Sequence, residues 1–241
     1  IVIDEAHRSA AESYRPLFDY AKRHAVRVLG LTATPVRSTY SSAPYEGTEQ
    51  LIQLFSDLVE PVETFRGCAP AQALVERGVL ARVSIRSHSR PASATETATL
   101  ICDELEPGNA LVFCVDQGQS RAVAAALAML GIPAAHLGSD LEESSRRLVL
   151  EDFRTGRVKV LCNCEILTTG FDLPSVNQIY LLRNTSSQVL YKQIVGRCLR
   201  GAASGGDEFS RVHLIGVDLP FDPDPTSQAF AVSLWDARNT Y

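Results

Sequence analysis

The sequence lacks the features that define several large classes of protein. It contains no apolar run of about 18 residues or more, so we expect no membrane-spanning helix. Its start does not resemble a secretory signal, and no segment is repeated or of low complexity. Charge of neither sign dominates, since 23 basic and 28 acidic residues give a net charge of -5. This balance excludes a histone-like protein held to nucleic acid by bulk charge, but not a local basic groove.

The cysteines also lack a metal-binding pattern. The six occupy positions 68, 102, 114, 162, 164 and 198, with no C-x-x-C pair among them. We therefore do not expect a structural zinc site built on cysteine. Buried, reduced thiols in a cytoplasmic protein are the better interpretation.

The chain does contain enough apolar sequence to build substantial cores. Its 241 residues are 45% hydrophobic, which is sufficient for one large or two small domains. From residue 96 onward, strand and helix patterns alternate, and this favours βαβ units and a doubly wound parallel sheet. The predicted strands are 110–115, 134–137, 158–162, 176–182 and 211–217, and the predicted helices are 96–105, 119–130, 142–153 and 187–200.

The first part of the chain predicts the same kinds of element in a less regular order. The β-branched run at residues 1–3 predicts a parallel strand buried on both faces, and a chain that opens inside a strand suggests a fragment. The other predictions are a helix at 13–25, a strand at 27–31, a loop at 36–47, a helix at 48–59, a helix near 71–77, a strand near 83–85, and a short helix after the extended tail from Pro220.

The acidic segment Asp4-Glu5-Ala6-His7 directly follows the opening strand. In open α/β sheets, ligands bind at the carboxyl ends of the strands. Two carboxylates at that edge suit a magnesium ion and an activated water beside a nucleotide phosphate. A solvated acidic turn is the alternative interpretation.

A second polar set lies on the predicted helix 187–200. At about 100° per residue, Gln193, Arg197 and Arg200 fall within about 60° of one another. Paired guanidinium groups on one face suit a polyphosphate, because they match phosphate oxygens and keep their charge. A surface helix with solvated arginines is the alternative. Gly196 within this helix costs about 1 kcal/mol and suggests a close approach at that point.

Two shorter segments follow predicted strands. Thr32-Ala33-Thr34-Pro35 follows the strand 27–31, and Thr168-Thr169-Gly170-Phe171-Asp172 follows the strand 158–162. Each can be an ordinary turn, with Thr34 capping the chain before a proline. Each can instead present hydroxyl groups and backbone amides to a ligand, with Asp172 accepting from a sugar hydroxyl or a water.

Taken in order, these segments resemble motifs II, III, V and VI of superfamily 2 helicases and translocases. Residues 111–115 resemble the strand of motif IV, and His136-Leu137-Gly138-Ser139 resembles the segment that follows it. The acidic motif is of the DEAH type, and Thr32-Ala33-Thr34 and Gln193-x-x-Gly196-Arg197-x-x-Arg200 look most like the branch of restriction-enzyme translocases and repair helicases. The resemblance implies an α/β fold of RecA-like parallel sheets flanked by helices. It also implies ATP and Mg²⁺ as cofactors, and nucleic acid as partner, with DNA favoured over RNA.

The resemblance also implies a role for each matching residue. Asp4 and Glu5 would hold the magnesium, and Glu5 would activate the attacking water. Arg197 and Arg200 would reach the γ-phosphate as arginine fingers, which are worth ~10³–10⁵ in rate in comparable enzymes. The remaining roles are cofactor binding for Gly170, Asp172 and Gln193, coupling of hydrolysis to motion for His7, Thr32 and Thr34, and contact with the nucleic-acid backbone for Ser139, Thr168 and Thr169.

One family feature is missing from this sequence. No Gly-Lys dipeptide occurs, so the chain lacks the G-x-x-x-x-G-K-[ST] loop that cradles phosphates. We therefore expect one partial and one complete RecA-like domain, together with a missing N-terminal part of the same protein. The expected division is 1–60 for the back half of the first domain, 61–93 for a connector and 94–241 for the second domain.

The sequence thus favours the C-terminal portion of an ATP-dependent DNA helicase or translocase. The isolated chain is expected to hydrolyse ATP poorly or not at all. The alternatives are a truncated module that binds nucleic acid or a partner without catalysis, and an RNA-directed helicase.

Overall fold

The computed structural model describes residues 1–32, 46–55, 70–164 and 176–225 of the chain. The chain divides into two compact units. The first comprises Ile1–Ala69, Ser186–Lys192 and Ser227–Tyr241, and the second comprises Pro70–Thr185 and Gln193–Thr226. Most of the predicted loop at 36–47 and the expected final helix lie outside the described residues.

The first unit contains a small parallel sheet of two strands, β1 (Val2–Ile3) and β2 (Leu29–Gly30). Helix α1 (Arg15–Arg23) lies between them in the chain, and helix α2 (Glu46–Leu54) follows β2. Val2 pairs with Leu29 and Ile3 with Gly30 in parallel register, which confirms the predicted parallel pairing.

The prediction that β1 is buried on both faces is wrong. Ile3 is 6% exposed, whereas Val2 is 65% exposed and Leu29 is 53% exposed. Within the described part of the chain, β1 and β2 are the only strands of this sheet, and the paired residues Val2 and Leu29 lie on its exposed face. The covered face packs through Ala6 and Phe55, both of which would clash with a β-carbon on Gly30.

Helix α2 differs from its prediction at both ends. It begins two residues earlier than predicted, at Glu46, and ends at Leu54 rather than at residue 59. Leu51 and Ile52 are buried on its inner side. The Phe55 ring that follows packs edge-on against Phe18 of α1, with centroids 5.6 Å apart and an interplanar angle of 87°.

The second unit is built on a six-stranded parallel sheet. The strand order is β3-β8-β7-β4-β6-β5, and every neighbouring pair is parallel, which confirms the predicted parallel α/β architecture. The strands are β3 (Arg82–His88), β4 (Ala110–Phe113), β5 (Ala134–Leu137), β6 (Val160–Asn163), β7 (Gln178–Leu181) and β8 (Phe209–Ile215).

The helices of this unit follow the predicted order. They are α3 (Pro70–Glu76), α4 (Ala94–Glu104), α5 (Gln117–Met129), α6 (Glu143–Arg154) and α7 (Gln188–Val195), of which Gln193 onward belongs to this unit. Ser93 and Asp116 begin α4 and α5 by accepting hydrogen bonds from the backbone amides of Glu96 and Gln119. The sequence signals for helix starts therefore act as expected here.

The central strands of this sheet are covered on both faces. Every residue of β4, β6 and β7 is buried, as a parallel sheet between two helical layers requires. On one face, Val112 and Tyr180 pack against Ile101 of α4 and Val123 of α5. The edge strand β3 lies within residues 61–93, which the sequence predicts to be a connector.

None of the helices described in the structure is long and apolar enough to span a membrane.

Candidate functional site

The acidic motif forms a tight turn at the carboxyl end of β1. The Asp4 Oδ1 atom accepts a hydrogen bond from the Glu5 backbone amide at 2.8 Å. Glu5 itself has left-handed backbone angles, with φ 51° and ψ 46°, and a 3₁₀ turn follows at Ala6–Arg8. Such a conformation is unfavourable for a residue with a β-carbon and recurs at functional sites.

This turn is fastened to the neighbouring strand. The Ala6 backbone amide donates to the Leu31 carbonyl at 2.9 Å, and the Ala6 side chain is buried. Asp4 and Glu5 remain exposed at the carboxyl edge of the small sheet. Their oxygens are therefore open to a hydrated cation and to water.

His7 connects the acidic turn to the threonine segment. Its Nδ1 atom lies 3.3 Å from Glu5 Oε2 and 3.1 Å from Thr32 Oγ1, and its side chain is 10% exposed. The structure thus brings Glu5, His7 and Thr32 together within the first unit. Thr34, the other residue of the predicted coupling set, lies outside the described residues.

The arginine segment is not one continuous helix. Helix α7 ends at Val195, a 3₁₀ turn covers Gly196–Cys198, and Arg200 pairs with Leu80 in an antiparallel bridge. The prediction that Gln193, Arg197 and Arg200 share one helical face is therefore wrong. Gln193 lies in α7, Arg197 in the 3₁₀ turn and Arg200 in an extended stretch beyond both.

The helix ends here because the backbone after Gly196 has other partners. The Ala81 amide donates to the Leu199 carbonyl at 2.9 Å, and the Gly201 amide donates to the Val79 carbonyl at 3.0 Å. Continued α-helix would break these bonds, and glycine at 196 supports a helix poorly. The exposed Arg200 is thereby held against the segment that leads into β3.

Among the described atoms of the arginine segment, the close backbone approach is at Gly201. A β-carbon on Gly196 would meet no described atom within 4 Å. A β-carbon on Gly201 would lie 2.2 Å from the Gly78 carbonyl oxygen and 2.7 Å from the Leu80 carbonyl carbon. The requirement for glycine at 201 depends on a segment more than a hundred residues away, and no local pattern reveals it.

Ser139 lies just after β5, at the carboxyl edge of the large sheet. Its Oγ atom accepts a hydrogen bond from Gln117 Nε2 at 2.8 Å, and Gln117 is the first residue of α5. Ser139 is exposed, so its hydroxyl is held in place at the surface.

A polar network beside Ser139 is absent from the sequence predictions. His136 Nδ1 lies 2.7 Å from Ser120 Oγ, and His136 Nε2 lies 2.9 Å from Asp140 Oδ1. Arg121 pairs with the other oxygen of Asp140. The hydrogen bond from His136, with Arg121 nearby, holds the pKa of the Asp140 carboxyl below its ordinary value. The sequence shows His136 and Asp140 on either side of Leu137-Gly138-Ser139. Their partners Ser120 and Arg121 are on α5, so the network is recognisable only when the packing of α5 is known.

The remaining predicted site residues, Thr168, Thr169, Gly170 and Asp172, lie outside the described residues. The described cysteines agree with the expectation of reduced thiols, since Cys102, Cys114, Cys162, Cys164 and Cys198 are all free and all but Cys102 are buried. Burial raises the pKa of the Cys114 thiol to about 12, so this thiol stays protonated and unreactive.

Two known families match parts of this chain. Residues 95–202 match the helicase conserved C-terminal domain, and residues 1–37 match the res subunit of type III restriction enzymes. The first match contains Ser139, Gln193, Arg197 and Arg200, and the second contains the acidic turn and Thr32.

Individual relatives match more of the chain at lower identity. The chain is 27% identical over 217 residues to IRC3 of Saccharomyces cerevisiae, whose name describes an ATP-dependent helicase, with 83% of this chain and 32% of that protein covered. It is 35% identical over 102 residues to ddx49 of Dictyostelium discoideum, whose name describes an ATP-dependent RNA helicase, with 42% and 20% covered. The chain thus spans about a third or less of the length of these two relatives.

A solved structure shares the fold. It is a fragment of an HsdR subunit of a type I restriction enzyme from Vibrio vulnificus YJ016, with a TM-score of 0.61 and 21% identity. The match covers 83% of this chain and 41% of that one.

Proposed function

Because this chain belongs to the superfamily 2 helicases and carries their RecA-like helicase C-terminal domain, we propose that it serves ATP-driven movement on DNA. In this proposal, the full-length protein binds and hydrolyses ATP, and hydrolysis is coupled to movement along the nucleic acid. The observation that carries the proposal is the contact series from Glu5 through His7 to Thr32, in the segment that matches the restriction-enzyme family.

Asp4 and Glu5 would hold the magnesium ion and prepare the attacking water. The residues fit this role, because Mg²⁺ keeps several waters and takes one or two carboxylates. Asp4 Oδ1 already accepts from the Glu5 amide, which fixes the carboxylate and leaves its other oxygen for a water of the ion. When bound, the ion supplies positive charge to the phosphate oxygens. Glu5 is exposed, and its left-handed backbone positions it in the turn. Its carboxylate would orient and deprotonate the water.

His7 and Thr32 would transmit the state of Glu5 to the rest of the protein. A shift of the Glu5 carboxylate on hydrolysis changes its 3.3 Å contact with His7 Nδ1, and the same nitrogen contacts Thr32 Oγ1 at 3.1 Å. Thr32 begins the segment that continues to Thr34. The proposed coupling also includes Gln193, through the family resemblance of its motif.

Arg197 and Arg200 would stabilise the charge that develops on the γ-phosphate. A guanidinium is planar, keeps its charge and can donate two parallel hydrogen bonds to phosphate oxygens. The bridge between Arg200 and Leu80 supports this role, because it fixes the backbone from which the side chain extends. Gly170 and Asp172 would contact the ribose or a water.

Ser139, Thr168 and Thr169 would contact the sugar-phosphate backbone of the nucleic acid. Hydroxyl groups that contact the backbone read no sequence, as a motor that moves along DNA requires. The hydrogen bond from Gln117 supports this role for Ser139, since it keeps the exposed hydroxyl at a fixed place. The proposed function also includes a cytoplasmic location for the protein.

The choice of DNA over RNA is tested by the nucleic acid that stimulates ATP hydrolysis. ATP turnover of the full-length gene product should be measured with single-stranded DNA, duplex DNA and RNA of matched length and salt. We expect DNA to stimulate turnover at least tenfold more than RNA. The name of the Dictyostelium relative motivates the competing RNA-directed activity, and stronger stimulation by RNA would establish it.

A second experiment concerns the 241 residues alone. Since they contain no Gly-Lys dipeptide, they offer no amide cradle or lysine for the β- and γ-phosphates. We expect the purified 241-residue chain to show no magnesium-dependent ATP turnover above background. Turnover that is abolished by Glu5→Gln would contradict this expectation.

A further inference from the structure

A histidine–glutamate cluster lies outside the proposed helicase site. It consists of His88 on β3, Glu104 at the end of α4 and His213 on β8. One nitrogen or oxygen atom from each side chain lies within 4.8 Å of the atoms from the other two. Three separate elements therefore converge on one point at the helix-covered side of the sheet edge.

The distances suit a small transition-metal ion. His88 Nε2 lies 3.1 Å from His213 Nδ1, and His213 Nδ1 lies 4.0 Å from Glu104 Oε2. Tetrahedral zinc with bonds of about 2.0–2.1 Å places neighbouring ligand atoms roughly 3.3 Å apart. The two imidazole nitrogens already meet this spacing, and the glutamate oxygen, 4.0 Å from His213 Nδ1, must move closer to reach it. We propose that His88, Glu104 and His213 bind a divalent transition-metal ion of the zinc class.

The two imidazoles are held so that their ring nitrogens face each other. The two rings are stacked with their centroids 5.3 Å apart and an interplanar angle of 20°, and His88 Nε2 lies 3.1 Å from His213 Nδ1. The Tyr180 ring lies flat against His213, at 4.5 Å and 14°, and fixes its plane. A metal ion bound here replaces the hydrogen bond that joins the imidazoles in its absence.

The His213 imidazole is enclosed by the protein. Its side chain is fully buried and its ring packs against Tyr180 and His88, so its Nδ1 atom faces the cluster rather than bulk water. Imidazole nitrogens are common ligands of transition metals. Magnesium would be rejected, because it prefers a shell of oxygen ligands.

Glu104 shares its carboxylate with a neighbouring arginine. Arg86 Nη1 donates to Glu104 Oε2 at 2.6 Å. A carboxylate offers two oxygens and about four lone pairs, so one arginine hydrogen bond leaves room for a metal. Arg86 then orients the ligand, as outer partners of metal ligands commonly do. The Glu104 side chain is 26% exposed, so water can complete the coordination.

The metal would link the edge strand β3 and helix α4 to β8. It would act as a structural clamp in the second unit, independently of the proposed helicase function. The probe is Zn²⁺, titrated into the 241-residue chain against a chelating dye, with Mg²⁺ as the comparison ion. We expect one Zn²⁺ per chain, a raised melting temperature with Zn²⁺, and no such rise with Mg²⁺.

The variants are chosen to retain the fold. His88 and Glu104 are half-buried, so His88→Ala and Glu104→Gln should fold, whereas His213→Ala opens a core position. Each of the first two should weaken zinc binding at least tenfold and remove the rise in melting temperature. His24→Ala, which alters an exposed histidine outside the cluster, should leave both unchanged.

Bound cobalt reports which atoms coordinate the metal. Co²⁺ in the site should show visible ligand-field bands without the near-ultraviolet charge transfer of a thiolate, and Cys68→Ser/Cys102→Ser should not change this spectrum. Failure to bind Zn²⁺, binding that survives His88→Ala, or a thiolate spectrum lost in the double cysteine variant would each overturn the proposal.

Discussion

Replacing Gly201 with alanine tests how the arginine segment is held. The new β-carbon would lie 2.2 Å from the Gly78 carbonyl oxygen and 2.7 Å from the Leu80 carbonyl carbon. Gly201 has φ -82° and ψ 175°, which any residue can adopt, so the penalty is purely steric. Because both obstructing atoms belong to the backbone, no side-chain rotation can relieve the clash.

The expected cost follows from the bonds that must yield. Overpacking typically costs about 1–3 kcal/mol. Moving the strand away also weakens the hydrogen bonds from Gly201 to Val79 and from Ala203 to Gly78, each worth about 1 kcal/mol. Together these effects predict that Gly201→Ala lowers the free energy of unfolding of the second unit by about 2–4 kcal/mol.

Gly196→Ala is the matched control. Its β-carbon would meet no described atom within 4 Å, so we expect no loss and a gain of up to about 1 kcal/mol. Urea titration of both variants, followed through hydrogen exchange of the β8 amides, isolates the second unit. With an m-value of about 2 kcal/mol/M, within the usual range for small proteins, the Gly201 variant should lower the midpoint by ~1–2 M. Equal effects of the two substitutions, or a loss only at Gly196, would refute the reasoning.

Three further changes have defined outcomes. Thr32→Val removes the hydroxyl that contacts His7 Nδ1, and it should reduce the stimulation of ATP turnover by DNA severalfold in the full-length protein. His213→Phe should flatten the pH dependence of the urea midpoint. In the wild type, the pKa of His213 is lowered to about 4, so stability is full above about pH 6.5 and falls as the pH drops towards 4. In the wild type, the hydrogen bond from His136 lowers the pKa of Asp140 and stabilises the fold only while the carboxyl is ionised, so stability falls at low pH. Asp140→Asn should not show this fall. A pH profile identical to wild type in either variant would contradict the assigned partners.

The sequence predicts the parallel sheet of the second unit well, because its signals are local and repeated. Strand β5 has the predicted bounds 134–137, and helices α4, α5 and α6 differ from their predictions by one or two residues at each end. Apolar runs bounded by capping residues such as Ser93 and Asp116 determine these elements without help from distant parts of the chain.

The failures occur where distant segments decide the local structure. Helix α7 stops at Val195 because residues 199–201 bond to residues 79–81, a partnership that no pattern within the helix indicates. The exposure of Val2 likewise depends on what covers the small sheet, not on its β-branched side chain. The cluster around His213 joins residues far apart in sequence, and the one around His136 joins residues of β5 and the turn after it to α5, so neither is visible as a local pattern.

The most direct test of the central account compares ATP hydrolysis by the full-length gene product and its variants. Glu5→Gln, Arg197→Ala and Arg200→Ala should each lower the DNA-stimulated rate by ~10³ or more while ATP is still bound, since Glu5 is proposed to activate the attacking water and the two arginines to stabilise the γ-phosphate. Arg147→Ala, which alters an exposed arginine on α6, should leave the rate unchanged. Rates within a few-fold of wild type for Glu5→Gln and both site-arginine variants would contradict the account.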